Sequence, residues 1–196
     1  MTKIGFDFGT TNSTISFLLE NSDGTYSLES FKIDAVEEAI DYIPSVIAYS
    51  ANGSQQIGKI AKRNLNNRNI EAYENFKLDL GDNFDKVYEG KTKNKTPTQV
   101  TMDYINNLLR VYISNMSVSS LEEIVMTVPT AWYGKPEILN NIEYIYIELG
   151  YSNCVLKSEP EAAAAFFCHC YEEGKAKAYD GDILVIDYGG GTLDVV

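Results

Sequence analysis

The sequence predicts an α/β fold built on a mixed sheet, and three features carry that expectation. Residues 3–8 and 13–19 have strand character and are joined by the small-residue turn Gly9-Thr10-Thr11-Asn12, which reads as a hairpin. The second half holds stretches of helical period with their own start and stop residues. Ile183-Leu184-Val185-Ile186-Asp187 is a continuous apolar strand pattern, of the kind found where a sheet is covered on both faces.

The remaining elements follow in order. Asn21-Ser22-Asp23-Gly24 is a second turn, Tyr26 to Ile33 a third strand, and Pro44 to Tyr49 a further short one. From Asp34 to Thr96 the chain is rich in Asn, Lys and Asp with weaker apolar patterning, which suits a peripheral subdomain. Thr96-Pro97-Thr98-Gln99 opens a helix: threonine at the N-cap, proline at the first helical position, and Gln99 placed to complete a capping box. Val100, Tyr104, Leu108 and Val111 form its apolar stripe. Ile124 to Pro129 is a buried strand, Pro136 to Leu149 a helix closed by Gly150, Val155-Leu156 a short strand, and Ser158 to Glu173 a helix closed by Gly174.

Composition bounds the function classes. With 44% hydrophobic residues the 196-residue chain can bury a core, and 22% charged residues argue against wholesale disorder. Sixteen basic against 28 acidic residues give a net charge of −12, which disfavours nucleic-acid partners. Any polyphosphate site here therefore needs local devices: backbone N–H groups, a lysine and a metal ion. The three cysteines at 154, 168 and 170 give neither a disulfide framework nor a zinc motif. Cys168-His169-Cys170 invites a metal reading, but residues two apart on a helix do not share a face. The N-terminus runs straight into a strand and no apolar run is long enough to cross a bilayer, so a reducing, cytoplasmic setting without membrane contact is expected.

The two ends of the chain repeat each other. Ile4-Gly5-Phe6-Asp7-Phe8-Gly9-Thr10-Thr11-Asn12 aligns without a gap on Leu184-Val185-Ile186-Asp187-Tyr188-Gly189-Gly190-Gly191-Thr192. Each is an apolar strand, an aspartate, an aromatic residue, a glycine and a small-residue turn. Small residues let backbone N–H groups approach a polyphosphate closely, and the hydroxyls of Thr10, Thr11 and Thr192 add donors. The aspartate at each strand end repels phosphate but suits Mg²⁺ held largely through water, the ion bridging to the phosphates. Two such hairpins face to face make a clamp.

At these residues the sequence resembles the actin/Hsp70/sugar-kinase superfamily, and the Hsp70 family within it. Gly5 to Ser13 is similar to that family's first phosphate motif, and Val185 to Val195 to its second. Val128-Pro129-Thr130-Ala131-Trp132 resembles a strand end of the family, Ser158-Glu159-Pro160-Glu161-Ala162-Ala163-Ala164 its Asn-Glu-Pro-Thr-Ala-Ala-Ala, and Phe76-Lys77 before Leu80-Gly81 its lysine-bearing segment. The resemblance implies a ribonuclease H-like mixed sheet flanked by helices, lobe I of an actin-like ATPase. A core would comprise residues 1–36 and 113–196, with an inserted peripheral subdomain over 37–112. It implies ATP or ADP with Mg²⁺ as ligands and ATP hydrolysis as the reaction. Asp7 and Asp187 would organise the metal and its waters. Gly9, Thr10, Thr11, Asn12, Gly189, Gly190, Gly191 and Thr192 would bind the phosphates. Lys77 would reach over the γ-phosphate, Glu159 would orient the attacking water, and Pro160 would relay nucleotide state. Unfolded client polypeptides and co-chaperones would engage through other parts of a longer parent.

That implied parent carries a second lobe with the adenosine pocket, so this chain alone is expected to be inactive and to bind Mg-ATP at about millimolar affinity or weaker. Two departures stand out: Glu161 replaces a usual threonine, and Tyr133 to Leu149 lacks the usual arginines. The same clamp also serves actin-like filament-forming ATPases and small-molecule kinases, which are the alternative functions.

Overall fold

The structure, a computed structural model, describes residues 2–33, 42–90, 93–189 and 193–196. The chain opens with a meander of three antiparallel strands: β1 (Thr2–Phe8), β2 (Asn12–Glu20) and β3 (Tyr26–Ser30). Alternation decides the faces. Ile4, Phe6 and Phe8 of β1 are buried together on one face, which leaves Gly5 and Asp7 on the other. The expected strand from Pro44 to Tyr49 divides in two. β4 (Ile43–Pro44) pairs with β2, and β5 (Ile47–Tyr49) pairs with β6 (Gln55–Ile57) and, beyond the short helix α1 (Gly58–Arg63), with β7 (Glu71–Tyr73). Ser45 and Val46 carry the chain from one sheet to the next.

Within the polar middle the structure adds a helix that the sequence pattern did not reveal, α2 (Phe76–Asn83), entered through Asn75 in the left-handed region (φ 59°). It buries Phe76, Lys77, Leu80 and Gly81. α3 (Pro97–Asn115) begins at the expected capping box, with the Thr96 side chain accepting from the Gln99 N–H and the Gln99 side chain accepting from the Thr96 N–H. Val100, Tyr104, Leu108 and Tyr112 bury its apolar face, with Val111 packed at the margin.

β8 (Leu121–Val128) lies parallel to β1, and after α4 (Pro136–Glu148) the chain returns as β9 (Cys154–Ser158), parallel to β8. Gly150, at φ +86°, closes α4: its N–H donates to the Ile147 carbonyl and the Tyr151 N–H to the Tyr146 carbonyl, both bonds of a Schellman stop. α5 (Glu159–Lys175) follows β9 directly. It runs through Gly174, and the left-handed residue that ends it is Ala176, not the expected glycine.

Among the described residues the main sheet has the order β3-β2-β1-β8-β9, with β4 beside β2. This is a mixed sheet flanked by helices, as the sequence predicts. Its core joins Phe6, Phe8, Met126, Tyr104, Leu108 and Ile142 in one cluster. A smaller cluster of Val46, Ala48 and Ala61 sits beneath the β6-β5-β7 sheet.

One expectation is corrected. Among the described residues the run Ile183–Asp187 lies outside the main sheet. β10 (Ile186–Tyr188) pairs only with β11 (Leu193–Val195) among the described residues, with Leu184 71% and Ile186 65% exposed. Apolar continuity signals a demand for two covered faces, and the described residues do not meet that demand here.

Cys154 shows how the core protects its contents. Burial pushes its thiol up to about 12, and the Glu143 carboxylate adds to the effect. Thiolate is the reactive form, so Ellman's reagent at about pH 8 should modify Cys168 and Cys170 quickly and Cys154 only after denaturant is added. Three equally fast thiols would contradict this packing.

Candidate functional site

The carboxyl ends of the parallel strands β1, β8 and β9 open on one cleft of about 590 Å³, the end of such a sheet where ligands bind. The turn between β1 and β2 forms its rim. Gly9 is required there because an added Cβ would lie 2.1 Å from the Asn12 carbonyl oxygen. Ser45 fixes the turn from behind: its hydroxyl donates to the Gly9 carbonyl (2.7 Å), its N–H donates to the Thr11 carbonyl (2.8 Å), and its oxygen shares a hydrogen bond with Ser13 (2.9 Å). Ser13 and Ser45 are both buried, so the turn is shaped before any ligand arrives.

Strand register places the charged groups. β1 pairs Asp7 with Thr127 of β8, and the Thr127 hydroxyl donates to Asp7 Oδ1 at 2.6 Å. β8 pairs Val128 with Ser158, which sets Glu159 at the mouth of α5. Ser158 and Glu161 complete a capping box on that helix, and the hydrogen bonds from the Ser158 N–H and hydroxyl hold the Glu161 carboxyl below its ordinary range. Glu161, the departure noted in the sequence, is thus used in the cap, which leaves Glu159 free to face the cleft.

Glu159 Oε1 accepts from Lys77 Nζ at 2.5 Å, with side-chain exposures of only 12% and 4%. Burial raises the Glu159 carboxyl above its usual value; Lys77 opposes that shift, while Asp7 and Asp187 add to it. The cleft therefore gathers three carboxylates around one lysine, an arrangement that favours a bound cation. Among the described residues no group of three His, Cys, Asp or Glu side chains could hold a metal ion. The donor set instead fits Mg²⁺, which keeps several waters and takes one or two carboxylates with substrate phosphates.

A model of the Hsp70 protein family matches residues 3–120. The chain belongs to the Hsp70 family. Chaperone protein DnaK of Mycoplasmopsis pulmonis (strain UAB CTIP) is 30% identical over 192 residues, which is 98% of this chain and 29% of that protein. Among solved structures, MreB5 of Spiroplasma citri bound to ADP is similar over 99% of this chain and 47% of its own, with a TM-score of 0.61 at 19% identity. The MamK double helical filament is similar over 99% and 49%, with a TM-score of 0.53 at 16% identity. These neighbours identify the actin-like lobe fold. The chain spans less than a third of the DnaK relative and about half of each solved structure.

The Hsp70-like segments converge on the cleft. Asp7, the turn Gly9–Asn12, Lys77, Glu159, Asp187 and Gly189 all line it. Pro160 is buried in the first turn of α5. Gly190, Gly191 and Thr192 lie outside the described residues. Three contributors escaped sequence reasoning: Thr127, Ser45 and Trp132. Thr127 could be found only from strand register, and Ser45 only from the crossing between sheets. Trp132 stood within a quoted family segment but without a role. His169 of the Cys-His-Cys triplet lies 3.6 Å from Glu173, one turn along its own helix.

Proposed function

We propose that this chain is the phosphate-gripping lobe of an Hsp70-type chaperone ATPase. The observation that carries the reading is the buried Lys77–Glu159 ion pair, set in one cleft with Asp7, Asp187 and the preformed Gly9–Asn12 turn. The turn presents backbone N–H groups and the Thr10 and Thr11 hydroxyls to the β- and γ-phosphates. From the second motif, Gly189 lines the cleft, and Gly190, Gly191 and Thr192, outside the described residues, are assigned to the phosphates with it. Lys77 exchanges Glu159 for the terminal phosphate and neutralises charge that builds as the bond breaks. Glu159, released from the lysine, accepts a hydrogen bond from the attacking water. Asp7, held by Thr127, and Asp187 would hold Mg²⁺, largely through water, and the ion would offset the charge of the phosphates. Pro160, at the start of the helix that carries Glu159, relays the state of the cleft.

We further propose a core of residues 1–36 and 113–196 with a peripheral insert over 37–112; the separate β6-β5-β7 sheet and its small cluster support the insert, whose helices α2 and α3 also pack into the main core. Client polypeptides and co-chaperones act through the longer protein, in the cytoplasm. No described helix is long and apolar enough to cross a membrane.

The test is ATP hydrolysis by the intact protein, with and without an unfolded peptide, beside an Asp187→Asn variant. Slow turnover that the peptide accelerates, and that falls by about a hundredfold or more in the variant, is the expected result. Turnover blind to peptide but coupled to nucleotide-dependent light scattering would favour a filament former. Phosphate found on an added sugar without free phosphate would favour a kinase. Undiminished turnover in Asp187→Asn would remove the site assignment.

A further inference from the structure

Lys77 is held by more than its ion pair. Its ammonium lies 5.6 Å from the centroid of the Phe8 ring and 5.7 Å from that of Trp132, so two aromatic groups wall it while Glu159 closes the remaining side. Trp132 is buried and stands behind the lysine, outside the cleft lining. It belongs to a single 3₁₀ turn, Thr130–Trp132, fixed by donation from the Trp132 N–H to the Pro129 carbonyl.

The indole is seated against α2. At Gly81, four residues after Lys77 and so on the same helix face, an added Cβ would lie 2.6 Å from the indole Nε1 and 3.0–3.1 Å from its ring carbons. Glycine inside a helix is destabilising relative to alanine, so its presence here has a packing reason. Lys135 adds a second tie, donating to the Gly81 carbonyl at 3.3 Å. The segment after β8 thus clasps α2 on the face that bears Lys77.

We infer that Trp132 is a positioning residue for Lys77: with Phe8 it forms a slot that aims the ammonium into the cleft, and Gly81 is the residue that admits the indole. This rests on the reading of the cleft as a phosphate site. A tryptophan face attracts a cation more strongly than other aromatic rings, and phenylalanine retains part of that attraction. Leucine has none. The slot should therefore survive Trp132→Phe in part and fail in Trp132→Leu.

The experiment uses the intact protein with two readouts. One is phosphate release from Mg-ATP, followed from about pH 5 to about pH 9. The other is acylation of lysines by sulfosuccinimidyl acetate without nucleotide, mapped by mass spectrometry. Trp132→Leu is expected to raise Lys77 acylation and to lower kcat, each about ten-fold, with a smaller change in KM, while Trp132→Phe stays within about three-fold of the parent. The acid limb of the rate profile should move upward in Trp132→Leu, because Glu159 loses a fixed partner. Lys95, whose ammonium lies 4.5 Å from the Tyr49 ring, serves as an internal control and should be unchanged. If Trp132→Leu does not fold, Gly81→Ala takes its place, since the added methyl displaces the same indole.

Lys77 acylation that rises only in step with Lys95 would mean general loosening and would overturn the inference. So would turnover that Lys77→Ala abolishes but Trp132→Leu leaves alone. If the parent shows no turnover at all, the phosphate reading fails separately, and the acylation arm still decides whether the slot exists.

Discussion

Replacing Lys77 by alanine should abolish most ATP turnover in the intact protein, by about 10²–10³-fold, the usual loss when one charge-stabilising donor is removed. Lys77 is the one basic side chain among the described residues that line a cleft also holding Asp7, Glu159 and Asp187, so no second side-chain cation among them replaces it. Stability should fall as well. Breaking a buried ion pair from one side costs about 3–5 kcal/mol when the surviving charge cannot escape. Glu159 can escape by taking a proton, which limits the loss.

That escape fixes the sign of a pH effect. The Glu159 carboxyl already stands above its ordinary value, chiefly through burial, and loss of the lysine removes the contact that restrains it. In the window between the ordinary carboxyl value and the raised one, the native state binds more protons than the unfolded state. Stability there rises as pH falls. The deficit of Lys77→Ala, read from urea midpoints, should be largest near neutral pH and narrow toward about pH 5. A deficit that does not vary with pH would show that Glu159 is not the group left uncompensated. In the parent protein the same ionisation should place an acid limb on the rate profile above the usual carboxyl range. Glu159→Gln should remove that limb along with much of the rate.

Gly9→Ala should be strongly damaging to both stability and nucleotide binding. A Cβ at 2.1 Å from the Asn12 carbonyl oxygen cannot be accommodated, so the turn must move, and with it the three hydrogen bonds to Ser45. Loss of about 2–4 kcal/mol in stability is the scale for such a clash combined with unsatisfied buried groups. Mg-ATP affinity of the intact protein should fall by at least about a hundredfold, since the donors no longer converge. Gly24→Ala is the contrast. At φ +80° it is strained, but open space surrounds it, so about 1 kcal/mol is expected with nucleotide binding intact. Calorimetry on both variants checks the pair, and equal effects would mean that the close approach at Gly9 is not what constrains the turn.

The parts of this fold that could be read from sequence are those governed by local rules. β1, its turn and β2 follow from strand period and a run of small residues. α3 and α5 announce themselves by capping boxes at Thr96 and Ser158. α4 is closed by a glycine that needs a positive φ. α2 escaped because it has only eight residues, starts at a left-handed asparagine and contains an internal glycine. Its buried residues Phe76 and Leu80 belong to the main core, where Phe76 packs against Phe8 and Tyr104. The site was legible as two repeated half-motifs, but the contact between Lys77 and Glu159 spans 82 residues, and no local pattern connects them; only the family resemblance placed both in one site. The run Ile183–Asp187 shows the opposite error. Its composition states what environment it requires, and an environment does not by itself give a position in a sheet.

The two hairpins of the proposed clamp are anchored differently among the described residues. The first is locked by Ser45 and rooted through Ile4, Phe6 and Phe8 in the main core. The second, among the described residues, pairs only as the two strands β10 and β11, with Leu184, Ile186 and Val195 exposed, and a two-stranded ribbon alone is marginal in water. A ligand that touches both would act as a splint, lending the rigid partner's order to the dependent one. The binding energy it spends there would be missing from its apparent affinity and would appear as order in the second hairpin. Under the proposed reading, a ligand touching both hairpins would couple the order of the second to that of the first.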